Sequence, residues 1–164
     1  LKRSIIPVIC KAINMLMAMR RKEGTLLARD LQGRLKRIEK SISEIEQLAA
    51  NEPNQVKQKI EKRLAELDAQ VMLRPERLEE EIAYIADRAD ITEEIVRLRS
   101  HVTHFRSVIN GSEEAGKRLD FLAQEMNREI NTIGSKSQQA RIAQCVIEVK
   151  LEIEKIREQV QNIE

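Results

Sequence analysis

Glu94, Arg97 and His101 stand at i, i+3 and i+7, and Glu125 and Glu129 at i, i+4. At about 100° per residue, the first set lines one rim of a helix together with Asp90. The second set lines a rim of another helix, with Thr132 and Lys136 further along it. If the two helices are antiparallel neighbours, both rims border one groove. Carboxylates one turn apart hold hard divalent cations, and an added imidazole suits manganese-like ions. Such a cation activates water and offsets charge on a phosphoryl group. The expected site therefore has Glu125 and Glu129 as ligands for a divalent metal, Mn or Mg. His101, Glu94, Arg97 and Lys136 are its catalytic candidates, Arg97 and Lys136 by offsetting phosphate charge. The same spacings also produce ordinary salt bridges along a helix edge, and that reading stays open.

A second route to the same class of chemistry needs no metal. His101 and His104 are the only histidines, and two imidazoles can act as base and acid in 2′-hydroxyl attack on RNA. Ser100 points elsewhere on the helix and makes a poor nucleophile–base pair with His101. Basic residues cluster at Arg20-Arg21-Lys22, Arg34-Lys36-Arg37, Arg97-Arg99 and Lys117-Arg118. Placed on long helices, Arg20, Arg21, Lys22, Arg34, Lys36 and Arg37 suit contacts to a phosphate backbone. Aromatic residues are only 2% of the chain, too few to build a stacking platform for single-strand readout. Recognition by shape and backbone is expected instead.

The elements that must position these groups read as about six amphipathic helices. The first runs from about Ser4, its expected cap, to Leu48, with Pro7 in its opening turn and Gly24 and Gly33 inside it. Leu31, Leu35, Ile38, Ile42 and Ile45 repeat in steps of four and three. Asn51-Glu52-Pro53 turns the chain into a second helix carrying Val56, Ile60, Leu64, Leu67 and Val71, completing a hairpin over residues 1–74. A third helix opens at Pro75 with Leu78, Ile82 and Ile85 inward. Asp90 and Glu93 have capping-box spacing ahead of a fourth helix with Ile91, Ile95, Leu98, Val102, Phe105 and Ile109. The fifth carries Leu119, Leu122, Met126, Ile130 and Ile133 and is expected to stop at Gly134. A heptad seam, Ile142, Val146, Val149, Ile153, Ile156, Val160 and Ile163, defines the sixth. Phe121 falls opposite the fifth helix's stripe, which marks it as a candidate oligomer contact.

Composition agrees with an all-α fold: a long helical hairpin followed by a bundle over residues 75–164. Charged residues reach 34% and apolar residues 41% with few aromatics, the balance of long helices and coiled coils. A first helix of that length cannot be buried within one small protomer, which predicts a homo-oligomer. Cys10 and Cys145 are far apart, so a disulfide framework is not expected and a reducing, cytoplasmic setting fits. No apolar run is long enough to span a bilayer. Residues 1–40 carry eleven Lys/Arg against three acidic groups, and residues 41–96 carry fourteen Asp/Glu against seven basic ones. That asymmetry implies either a polyanion-binding surface or complementary packing between the two parts. The chain begins without methionine and almost inside a helix, as a piece of a longer protein would.

Three strings extend this reading: Ala86-DRADITEEIVRLRSH-Val102, Arg118-LDFLAQEMNREINTIGSK-Ser137 and Ile153-EKIREQVQNIE. Over roughly residues 76–164 the chain resembles the C-terminal domain of the YicC/YloC stress-induced protein family of bacteria, whose N-terminal domain is absent here. The resemblance implies a cytoplasmic endoribonuclease that needs a divalent cation and forms a ring-like homo-oligomer, a hexamer. Asp87, Asp90, Glu94, Arg97, His101, Glu125, Glu129 and Lys136 all fall within its strings, whereas His104 falls where the string is loose. The competing expectation is a non-catalytic oligomeric module that holds RNA for other nucleases.

Overall fold

The computed structural model describes residues 2–50, 87–111 and 115–161, together with 58, 62, 80 and 83–85. Four helices account for nearly all of it: α1 (Lys2–Ala49), α2 (Thr92–Ile109), α3 (Gly116–Lys136) and α4 (Ala140–Val160). Of the expected second helix only residues 58 and 62 are described, and the Pro75 start of the third and Ile163 lie outside the described residues. Residues 83–85 and 87–89 are helical. Among the described residues there is no strand, so the all-α expectation holds.

Side-chain pairs define how the helices run. Glu46 meets Arg99 and Glu39 meets Arg106, so α1 and α2 are antiparallel. Glu44 meets Arg141 and Arg34 meets Glu152, so α1 and α4 are antiparallel as well. Short connections turn α2 into α3 and α3 into α4. The result is a four-helix bundle in which each helix runs against both of its neighbours. Only the second half of α1 takes part. Leu31, Leu35, Ile38, Ile42 and Ile45 are buried, whereas residues 5–26 are exposed throughout. At 1.5 Å per residue α1 is about 70 Å long, and its first half projects beyond the bundle.

The core is one stripe from each helix. To the α1 residues α2 adds Ile95, Leu98, Val102 and Phe105, α3 adds Leu122, Met126, Ile130 and Ile133, and α4 adds Val149, Ile153 and Ile156. Steps of three and four keep each stripe facing inward over about four or five turns.

Several local expectations are corrected. α1 begins at Lys2, so Ser4 lies inside the helix instead of capping it. Val108 takes the buried position expected of Ile109, which is only half-buried. The Asp90–Glu93 capping box forms only in part. Asp90 Oδ1 accepts the Thr92 N–H at 2.8 Å. The Asp90 N–H is already donated to the Asp87 carbonyl, and Glu93 turns to Arg97 one helical turn on.

Gly134 does not end α3, which continues to Lys136 until Ser137 becomes extended. Its role is close approach: a Cβ there would lie 3.1 Å from Val146 Cγ1 on α4. Helix propensity favours alanine over glycine by about 1 kcal/mol, but the stiff valine beside it opposes the added carbon. Gly134→Ala is therefore expected to be at least about 1 kcal/mol more favourable in a Val146→Ala background than in the parent, measured as a double-mutant cycle in urea.

Candidate active site between α2 and α3

Because α2 and α3 are antiparallel, the start of α2 lies beside the end of α3. There Lys136 Nζ stands 2.7 Å from Glu94 Oε1 and donates to the Asp90 carbonyl at 3.0 Å. Glu94 is 6% exposed, and its Oε2 is buried without a hydrogen-bond partner. Further along the seam Arg97 is held by Glu93, and its Nη1 lies 4.0 Å from Glu129 Oε1. His101, Glu125 and Glu129 come next, each offering one ligand atom, all within 4.8 Å of one another. The two rims predicted from spacing thus border one seam.

Burial distinguishes these groups. Glu129 is 6% exposed, while Glu125 and His101 are half-buried. Glu129 lies on the core side because it sits between Met126 and Ile130, both fully buried on the same helix. Among the described residues its cationic partner is Arg97, at a separation beyond hydrogen-bond length. A desolvated carboxylate aimed at a second carboxylate and an imidazole fits a divalent cation. Two hard oxygen donors and one nitrogen donor match manganese-like preferences, and the cation would relieve the repulsion between Glu125 and Glu129.

The remaining candidates divide by what they touch. Lys136 is a clamp on Glu94 and the Asp90 carbonyl, the first of which is buried. Arg97 is half exposed and reaches the cluster from its open side. His104 is exposed and takes no part in the cluster; its carbonyl accepts the Ser107 hydroxyl. Hydrogen bonds from the Thr92 hydroxyl and backbone hold the Asp90 carboxyl below the usual carboxylate range, and Lys136 adds to this. Burial, with Glu44 and Glu148 beside it, pushes the Cys145 thiol up, so it is a protonated core group and no nucleophile. Sequence reasoning gave Glu93 only a capping role; its i, i+4 spacing to Arg97 was the signal for the contact it makes.

The basic clusters separate as well. Arg20, Arg21, Lys22 and Lys36 are exposed. Arg34 and Arg37 both donate to Glu152 Oε2, at 3.2 and 3.0 Å, and Arg34 also to Asp30 at 2.7 Å. Burial alone would raise the carboxyl pKa of Glu152, but Arg37, Arg34 and Lys155 together hold it below the ordinary value. Arg34 and Arg37 therefore fasten α1 to α4. Phe121 is 59% exposed, on the outer face as expected.

The family described as endoribonuclease YicC-like, C-terminal, matches residues 45–164. A probable endoribonuclease YicC of Clostridioides difficile (strain 630) is 44% identical over 154 residues, covering 93% of this chain and 53% of that protein. A protein of the same description from Haemophilus influenzae is 38% identical over 149 residues, 90% of this chain and 51% of its own. The chain spans about half the length of the curated relatives it matches.

Two predictions follow from this geometry. Arg34→Met is expected to cost about 2 kcal/mol in urea unfolding, because Glu152 loses a charge-assisted bond. Lys36→Ala should stay within about 0.5 kcal/mol of the parent, as exposed substitutions do. At Asp90, a folded-state pKa below the unfolded value means the stabilisation is present above the unfolded pKa and is lost as pH falls through the folded one. The stability gap between the parent and Asp90→Ala should accordingly be full at pH 7, begin to shrink at the ordinary carboxylate pKa and go on shrinking below it.

Proposed function

Because the chain belongs to the YicC-like endoribonuclease family, we propose that it carries the cation-binding site of an RNA-cleaving enzyme, formed by His101, Glu125 and Glu129. The observation that carries this reading is the convergence of their three ligand atoms within 4.8 Å, one of them from a buried carboxylate. A divalent cation, Mn or Mg, would supply Lewis-acid chemistry to a phosphodiester when bound.

The chain's own groups do the rest. Glu125 and Glu129 hold the cation, and Glu129 is kept in place by its neighbours in the core. His101 completes the ligand set or takes the proton of the attacking hydroxyl. Arg97, open to solvent, presents a planar guanidinium suited to two phosphate oxygens. Lys136 anchors Glu94 and so the start of α2, and adds positive charge at that end of the seam. Exposed Arg20, Arg21, Lys22 and Lys36 track the RNA backbone along α1 without reading bases.

A homo-oligomer completes the proposal. Ile6, Val8, Leu16 and Met19 are each more than half exposed on α1, and apolar side chains occupy nearly every face of residues 5–19. A helix apolar all round is stable only when enclosed. This exposed apolar half of α1, which further copies would cover, is the observation that favours the second reading, an assembly that holds RNA for other nucleases. No helix among the described residues is long and apolar enough to cross a membrane. The cytoplasmic setting is proposed on RNA as the substrate and on two free cysteines, which suit a reducing compartment.

The two readings part on one variant. Glu125→Gln with Glu129→Gln preserves shape while deleting charge, so folding should survive and cation-supported RNA cleavage should fall by at least about a hundredfold. Cleavage at the parental rate would reject the carboxylate site, whereas a parent that binds RNA without cleaving it would leave the RNA-holding reading. A deoxy nucleotide at the scissile position separates 2′-hydroxyl attack, which it abolishes, from attack by water. For the assembly, Ile9→Glu with Leu16→Glu should lower the mass seen by light scattering. An unchanged mass would remove α1's first half from the interface.

A further inference from the structure

Arg97 occupies an unusual position between two carboxylates on opposite helices. It is hydrogen-bonded to Glu93 on its own helix, and its other nitrogen stands 4.0 Å from Glu129 across the seam. Glu93 is largely exposed and Glu129 almost wholly buried. Buried charge needs compensation far more than exposed charge does, yet the short contact goes to Glu93 and the buried carboxylate is left with the long one. A carboxylate oxygen of Glu129 is also within 4.8 Å of ligand atoms from His101 and Glu125. Arg97 is thus near enough to neutralise Glu129 in part, and too far to satisfy it.

We propose that Arg97 is a resident counter-ion which a divalent cation supersedes, so that cation binding and phosphate binding reinforce each other. This deepens the reading of His101, Glu125 and Glu129 as a cation site and rests on it. With the site empty, Arg97 is the one cationic side chain within 4.0 Å of the Glu129 carboxylate among the described residues. When a cation is held by Glu125 and Glu129, that charge becomes redundant and like charges repel across a few ångströms. A substrate phosphate on the open side draws the half-exposed guanidinium away from Glu129 and removes the repulsion. Cation and phosphodiester therefore raise each other's affinity by the same factor, as linkage requires. Glu93 sets the direction of this exchange, since it tethers the guanidinium on its solvent side.

The test is calorimetric titration of the chain with Mn²⁺, which reads binding and not activity. Arg97→Gln is expected to bind Mn²⁺ about tenfold more tightly than the parent, and Arg97→Lys, which retains the charge, close to the parent. A 2′-O-methyl RNA oligonucleotide should tighten Mn²⁺ binding several-fold in the parent and leave Arg97→Gln unchanged, after correction for metal held by the oligonucleotide alone. Urea unfolding of each variant checks that it is folded; Arg97→Lys should keep the parental midpoint, and Arg97→Gln should lie somewhat lower because the buried Glu129 loses its counter-ion. Equal Mn²⁺ affinity in Arg97→Gln and the parent, or oligonucleotide coupling that persists in Arg97→Gln, would overturn the proposal. If Mn²⁺ binding is measurable and lost in Glu125→Gln with Glu129→Gln, that failure leaves the cation site standing. If no variant and no parent binds Mn²⁺, both readings fall together.

Discussion

Glu94 and Glu129 lie on the buried side of the seam between α2 and α3, each only 6% exposed, and their desolvated charge organises what surrounds them. Glu94 is answered at short range by Lys136, whose ammonium also takes the Asp90 carbonyl. Glu129 is answered only from 4.0 Å by Arg97. A unit charge pair at that separation is worth about 4 kcal/mol at an effective dielectric constant near 20, and less where one partner is half in water. One end of the seam is therefore locked by an ion pair, while the other keeps an under-compensated carboxylate beside His101 and Glu125. The first suits a structural clamp and the second suits a ligand site.

That seam is set by packing on its far side. Met126 and Ile130 are fully buried on either side of Glu129, and Ile95 and Leu98 flank the Glu94–Arg97 rim from within. The rims cannot rotate away without bringing these side chains into water, at about 1.5–3 kcal/mol each. Close approach of α3 to α4 at Gly134 keeps the end of α3, and with it Lys136, in register with the start of α2. The core thus holds the polar groups at separations that their own attractions would not select.

Charge on α1 serves two ends. In the bundle half, Arg34 and Arg37 join Glu152, while Glu39, Glu44 and Glu46 join Arg106, Arg141 and Arg99. These pairs fix the antiparallel order of α2 and α4 against α1. In the projecting half, apolar residues 5–19 and the following Arg20-Arg21-Lys22 are exposed. One helix therefore presents a fastening surface and an exposed surface, divided near Leu27.

Periodicity alone determined the all-α class, the buried stripes of α1, α3 and α4, and the two rims, because side-chain direction along a helix follows from spacing. The family resemblance was likewise legible in three strings, and its match to residues 45–164 bears it out. Spacing could not say which helices are neighbours, and so could not join Glu125 and Glu129 to His101. That juxtaposition is decided by the antiparallel packing of α2 on α3. Nor could it tell Arg34 and Arg37 from Lys36, since all lie within four residues and only the proximity of Glu152 on α4 separates fastened from free. Gly134 read as a stop because glycine favours helix ends, whereas the tertiary contact with Val146 uses its missing side chain for close approach. Position along a helix is local geometry and is written in the chain; partnership across helices depends on which stripes pack together, and the fold decides it.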